Sequence, residues 1–135
     1  MKLNRIIQHA VYVPEHKQYY KSGSLRDYVH IDFPKDKKYF YIDGGSECSR
    51  SGGDFDLIKD GRIIDFSLYE KDPFEKIVKR FLWGTYGKSG TGKFKWVLLV
   101  DCDTDHLKAI LETQIHIRGG IIEKIVKHIL KERNE

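Results

Sequence analysis

The stretch PFEKIVKRFLWGTYGKSGTGKFKWVLLV, Pro73–Val100, poses the question of a damaged nucleotide-hydrolysis site, a different phosphate site or a flexible basic loop. Its centre, Gly87–Phe94, is one residue away from a phosphate-binding loop, which reads Gly, four residues, Gly, Lys, then Ser or Thr. Gly87, Gly92 and Lys93 fit, but Phe94 stands where the metal-binding hydroxyl belongs. A genuine loop of that kind joins a strand to the helix whose N-terminus receives the phosphates. Here the order is reversed. Phe74, Ile77, Val78, Phe81 and Leu82 recur at helical spacing before the loop, and FKWVLLV after it has the composition of a strand. The scaffold for ATP or GTP hydrolysis is therefore absent from this loop.

Upstream, RIIQHAVYV, DYVHIDF and KYFYID are rich in β-branched and aromatic residues with partial alternation, so they predict strands. PKDKK, DGGS, RSGGD and KDGR supply turn chemistry between them. FDLIKDGRIIDFSLYE predicts a hairpin turned at Asp60-Gly61. Asp72 is placed to cap a short helix begun at Pro73.

Downstream, DHLKAILETQIHI predicts a helix capped by Asp103 or Thr104, with Leu107, Ile110, Leu111 and Ile115 on one face and a stop at RGG. IIEKIVKHILKERNE predicts a second helix with apolar residues at 121, 122, 125, 126, 129 and 130. That stripe packs on a sheet or forms an oligomer seam. The expected fold is α+β: a mostly antiparallel sheet followed by two C-terminal helices, in one domain of residues 1–135, β-rich over 1–100 and helical over 104–133. No internal repeat, linker or low-complexity segment is evident.

The net charge of +4 is mild, but it is uneven. Asp43–Asp72 carries eight acidic and four basic residues, whereas Pro73–Leu99 carries six basic and one acidic. The second stretch, net +5, draws a small anion or a nucleic acid, or is a solvated basic face. No apolar run approaches the roughly 20 residues that span a bilayer, and MKLNRIIQHAVYV makes a poor signal peptide because Gln8 and His9 interrupt it. A cytoplasmic protein is expected. Cys48 and Cys102 stand apart, outside any CxxC, and read as free thiols rather than metal ligands.

Asp101, Asp103, Asp105 and Glu112 match an EF-hand at positions 1, 3, 5 and 12, but His106 fills the Gly position and a strand precedes the loop. No metal site is expected. Nor is there a Ser-His-Asp order, a paired-carboxylate signature or an HExxH, so neither catalytic residues nor a cofactor is assigned.

The candidate ligand contacts come from local chemistry. Glycines expose backbone N–H groups, Lys88, Lys93 and Lys95 add charge, and Trp83, Tyr86 and Trp96 offer flat faces, a combination suited to a phosphate joined to a base; the other reading of the stretch is a mobile connector between packed elements. Arg26, Arg50 and Arg118 are further cations, and Thr104 and His106 stand at a helix start.

In order, RDYVHID, YFYIDGGSECSR, FSLYEKDPFEKI, FLWGTYGKSG, KWVLLVDCDTDHLKAILETQ and ILKER resemble a family of small phage-encoded proteins over about Arg26 to Arg133. The family series is a His- or Arg-rich DYV strand, a DGG turn ending in Arg, a WGTYGK loop and a TDHL helix. This chain departs from it in SLRDYV, with fewer His, and in SECSRS, with one Arg fewer. The series is also similar to the anti-Thoeris sponge proteins. That resemblance implies a sheet-plus-helix protein that assembles into a homo-oligomer, a dimer or hexamer. It implies sequestration, without cleavage, of a cyclic ADP-ribose derivative used as an immune signal, and in some members of cyclic oligonucleotides. The other function classes left open are a phage regulatory protein binding nucleic acid through residues 73–99 and an inhibitor of a host protein.

Overall fold

The structure is a computed structural model, and it describes residues 5–22, 28–44, 49–86 and 92–134. Among these are nine strands and four α-helices, with every strand pairing antiparallel, so the fold is α+β. The chain forms two compact units, Met1–Asp72 and Pro73–Glu135.

The first unit is built from two sheets. Strand β1 (Ile6–Val13) pairs on one edge with β2 (Gln18–Ser22), and on the other with β6 (Ile64–Asp65) and β7 (Leu68–Tyr69). The second sheet has the order β3 (Val29–Phe33), β4 (Lys38–Asp43), β5 (Arg50–Gly53). Alternation sends Val11 and Val13 of one sheet, and Ile31, Phe33, Phe40 and Ile42 of the other, into a common core closed by Leu57 and Ile63.

The two long hairpins are the same device used twice. Pro14 and Pro34, twenty residues apart, each open a 3-10 turn after a strand. Lys17 (φ 50°) and Lys37 (φ 54°) end these turns in the left-handed region, each donating its N–H to the proline carbonyl. VPEHKQYY and FPKDKKYF are thus one repeat. Pro, Lys and Tyr are the only residue identities that carry it, which is too few to show in the sequence.

Arg62 joins the copies. Its Nε donates to Glu15 at 2.5 Å in the first turn, its Nη2 to Asp36 at 2.5 Å in the second, and its guanidinium lies 5.0 Å over the Phe33 ring. The bond from Arg62 holds the Glu15 carboxyl below its usual range. A depressed carboxyl stabilises the fold above its unfolded value, and that gain is lost as pH falls through the folded one. Arg62→Ala should therefore lower the melting temperature at pH 7 and flatten its fall below pH 4.5. Melting curves from pH 7 to pH 3 check both effects.

A second titration lies on β2. Burial lowers the Lys21 amine from 10.5 to about 8. Between these values the unfolded chain binds more protons than the folded one, so stability should rise with pH from about 8 toward 10, by at most on the order of 2 kcal/mol. Urea midpoints at both ends of that window test this; Lys21→Met should remove the rise.

The segment after β5 differs from the expected hairpin. Asp56–Lys59 is one helical turn, α1, with Asp60 as its C-cap and Gly61 following at φ +75°. Buried Leu57 anchors it, and its carbonyl accepts from Arg62 and Ile63. Ile64–Asp65 then pairs with β1 rather than folding back on residues 55–58.

In the second unit, α2 (Phe74–Arg80) leads into β8 (Leu82–Thr85), which pairs with β9 (Lys95–Leu98). The β9 strand stops early, because Leu99–Asp101 turns as a 3-10 helix. No side chain caps α2; the Asp72 carboxylate accepts from the Tyr69 N–H instead. Helix α3 (Thr104–Thr113) is capped by Asp103, which accepts the His106 N–H at 2.8 Å. It ends before Ile115, which is 66% exposed and not on its buried face.

Helix α4 (Ile121–Arg133) packs against α2 and α3. The centre of its stripe, Ile125, Val126 and Ile129, is 0–3% exposed within the single chain, so these positions are interior. Of the alternatives for the stripe, intramolecular packing accounts for its centre. No helix is long and apolar enough, among the described residues, to cross a membrane.

Candidate functional site

The glycine-rich stretch lies between the paired strands β8 and β9, and its residues 87–91 are outside the described ones. Strand β8 stands between α2 and this stretch, so among the described residues both of its flanks are strands. The pairs Leu82↔Leu98, Trp83↔Val97, Gly84↔Trp96 and Thr85↔Lys95 fix the faces. Since side chains alternate, Trp96 shares a face with Gly84 while Trp83 lies on the other. The two tryptophans therefore cannot flank one ligand.

On the Trp96 face, Phe94 and Trp96 meet edge-to-face with centroids 5.1 Å apart, and Tyr86 meets Phe94 at 5.3 Å. The Phe94 ring fills the space above Gly84. A Cβ there would stand 2.6 Å from the ring and 3.1 Å from Trp96. Gly92 donates its N–H to the Tyr86 carbonyl at 2.8 Å, and a Cβ on Gly92 would meet that oxygen at 2.7 Å. Phe94, the misfit of the phosphate-loop pattern, thus joins Tyr86 to Trp96. The signal for it was a glycine facing a tryptophan across the hairpin, readable once the strand register is known. Gly84→Val should displace the ring, changing the near-ultraviolet circular dichroism and lowering the melting temperature; an unchanged spectrum would contradict the packing.

Tyr86 and Phe94 are 56% and 47% exposed, and Lys93 and Lys95 are exposed beside them. Tyr86, Lys93 and Trp96 of the expected contacts therefore belong to this end of the hairpin, with Phe94 added. Lys88, like Arg26, lies outside the described residues.

The remaining expected contacts are elsewhere. Thr104 Oγ1 accepts from Arg133 Nη1 at 3.3 Å, while Arg133 Nη2 donates to the Val100 carbonyl at 2.9 Å. Thr104 thus helps tie the start of α3 to the end of α4. The His106 side chain is half-buried, and Arg118 is exposed. Arg50 is on β5 of the first unit, 3.5 Å from the Asp43 carboxylate.

Cys102 is free and buried, donates to the Leu98 carbonyl, and has its thiol pushed up by that burial, which disfavours the reactive thiolate. Among the described residues no three His, Cys, Asp or Glu gather as metal ligands, the Asp101–Glu112 series included.

The fold and the hairpin define an α+β protein with an exposed aromatic and basic edge. Comparison with protein-family models, curated proteins and solved structures gives no match.

Proposed function

We propose that the protein is a phage anti-defence sponge: it binds a cyclic nucleotide immune signal, a cyclic ADP-ribose derivative or a cyclic oligonucleotide, and holds it uncleaved in the host cytoplasm. One observation carries the binding reading. Tyr86, Phe94 and Trp96 form a continuous ring cluster, two of them about half exposed, in a stretch of net charge +5. A base stacks on exposed rings for on the order of 1–3 kcal/mol, and lysines hold its phosphates through charge-assisted hydrogen bonds. Retention without cleavage, and assembly into a dimer or hexamer, are parts of the same reading that rest on the sequence resemblance.

Calorimetry with cyclic ADP-ribose and with cyclic di- and trinucleotides tests binding. Denaturing the complex and recovering the ligand tests cleavage. Saturable binding with intact ligand supports the reading; product beyond one equivalent per chain makes the protein an enzyme. Light scattering reports the oligomer. The same rings and lysines also suit single-stranded nucleic acid. Affinity for oligonucleotides falling steeply with salt, with no binding of the cyclic ligands, would select the alternative.

A further inference from the structure

The outer face of the β3–β4–β5 sheet carries a tier of rings. Alternation sends Ile31, Phe33, Phe40 and Ile42 into the core, so His30, Asp32, Tyr39, Tyr41 and Asp43 stand on the opposite face. The register adds Arg50, opposite Asp43, and Gly52, opposite Tyr41. Tyr28, just before β3, stacks on Tyr41 with centroids 5.3 Å apart at 29°. His30 stacks on Tyr39 at 5.3 Å and 16°, and Tyr28 on His30 at 6.2 Å and 27°. Tyr28 and Tyr39 are 54% and 45% exposed. We propose that this face binds a neutral saccharide, with the C–H faces of its pyranose rings on the tyrosines and its hydroxyls on Asp32, Asp43 and Arg50.

The ring geometry selects a flat partner. A cage for a quaternary ammonium surrounds the cation with rings, whereas these rings are near-parallel. The electron-rich face of a tyrosine attracts the weakly positive C–H groups of a pyranose. Gly52 lets the Tyr41 ring lie over β5. A Cβ at Gly52 would stand 2.6 Å from that ring, so a larger side chain there lifts it.

The polar groups then separate a saccharide from other flat partners, because they present acceptors and donors together. Asp32 accepts from His30 Nε2 at 2.7 Å through one oxygen and is exposed, which leaves its second oxygen for a ligand hydroxyl. The carboxylate only accepts, so Nε2 carries the proton, and in the neutral ring Nδ1 accepts from the Tyr28 hydroxyl at 3.2 Å. The His30 ring is thus held from both nitrogens. Arg50 approaches Asp43 at 3.5 Å and is exposed, so most of its donor fork stays open among the described residues. Sugar hydroxyls both donate and accept, as this set requires. A proline-rich segment offers carbonyl acceptors alone and leaves Asp32 unmatched. A nucleic acid brings phosphates beside two carboxylates, with one guanidinium to offset them.

This face belongs to the first unit and the hairpin to the second, so either reading can fail alone. Backbone amide NMR titrations of the full chain with cellotetraose, chitotetraose and maltotetraose test it, with hexathymidylate and a decaproline peptide as contrasts. At least one saccharide should saturably shift the signals of Tyr28, His30, Tyr39 and Tyr41. Tyr28→Leu and Tyr39→Leu keep apolar bulk but lose the flat face. Each should weaken that binding about tenfold, as for one lost aromatic contact, with a melting temperature near that of the wild type. Gly52→Val, which removes no ring, should weaken it as well by displacing Tyr41. Absence of shifts on β3 and β4 with all three saccharides would overturn the proposal. So would saccharide binding that none of the substitutions changes, or shifts on this face from hexathymidylate or decaproline alone.

Discussion

Replacing Ile125 with aspartate is expected to unfold the second unit, because the carboxylate has nowhere to be solvated. Ile125 is 0% exposed on a helix that packs against α2 and α3. Burying an unpaired charge while losing the isoleucine contacts places the change among the most damaging single substitutions, about 4 kcal/mol or more. That is comparable to the whole stability of many domains, about 5–15 kcal/mol. Ile125→Val should cost only about 0.5–1.5 kcal/mol, because it removes a single methylene. Urea denaturation followed by circular dichroism separates the two variants. An Ile125→Asp chain that keeps the helix signal and cooperative unfolding, but lowers the oligomeric mass by light scattering, would return the residue to a subunit interface.

The double substitution Tyr86→Ala/Phe94→Ala is expected to abolish most cyclic-nucleotide binding. If each ring stacks on a base, the two together account for about 2–6 kcal/mol. Both rings are about half exposed, so the fold should survive their loss. Lys93→Ala should weaken binding by a further increment of about 1–3 kcal/mol, typical of a hydrogen bond to a charged group. Trp83→Ala is the internal contrast. Its side chain is on the opposite face of the hairpin, so it should alter stability and leave affinity nearly unchanged. Calorimetry on the variants decides: equal losses for Trp83→Ala and for the Tyr86/Phe94 pair would contradict the face assignment.

What the sequence made legible follows from what is local. The strands at RIIQHAVYV, DYVHIDF and KYFYID, the α3 cap at Asp103 and the two C-terminal helices are written in alternation, helical spacing and capping residues, and each is present. The class α+β follows from them. Features that depend on pairing were not legible. Whether Gly84 faces Trp96 or Trp83, which edge Ile64–Asp65 joins, and how Arg62 links two turns that are distant in sequence all depend on register and topology. The same limit applies to the ligand contacts. Tyr86, Lys93 and Trp96 were found together because they flank one hairpin, whereas Thr104 was found to serve a helix–helix tie. His9, Ser51 and Asp65 line one cleft of the first unit although they are dispersed along the chain, and they meet only through its two sheets.

The central claim is that this chain retains a cyclic nucleotide without turning it over. Native mass spectrometry of the protein purified from cells that produce such signals tests it most directly, because it weighs the assembly and any retained ligand together. The account predicts a homo-oligomer carrying a ligand whose mass, after release by denaturation, equals that of the intact cyclic nucleotide. A ligand-free chain that also fails to bind added cyclic nucleotides, or one that releases a hydrolysed product, would contradict it.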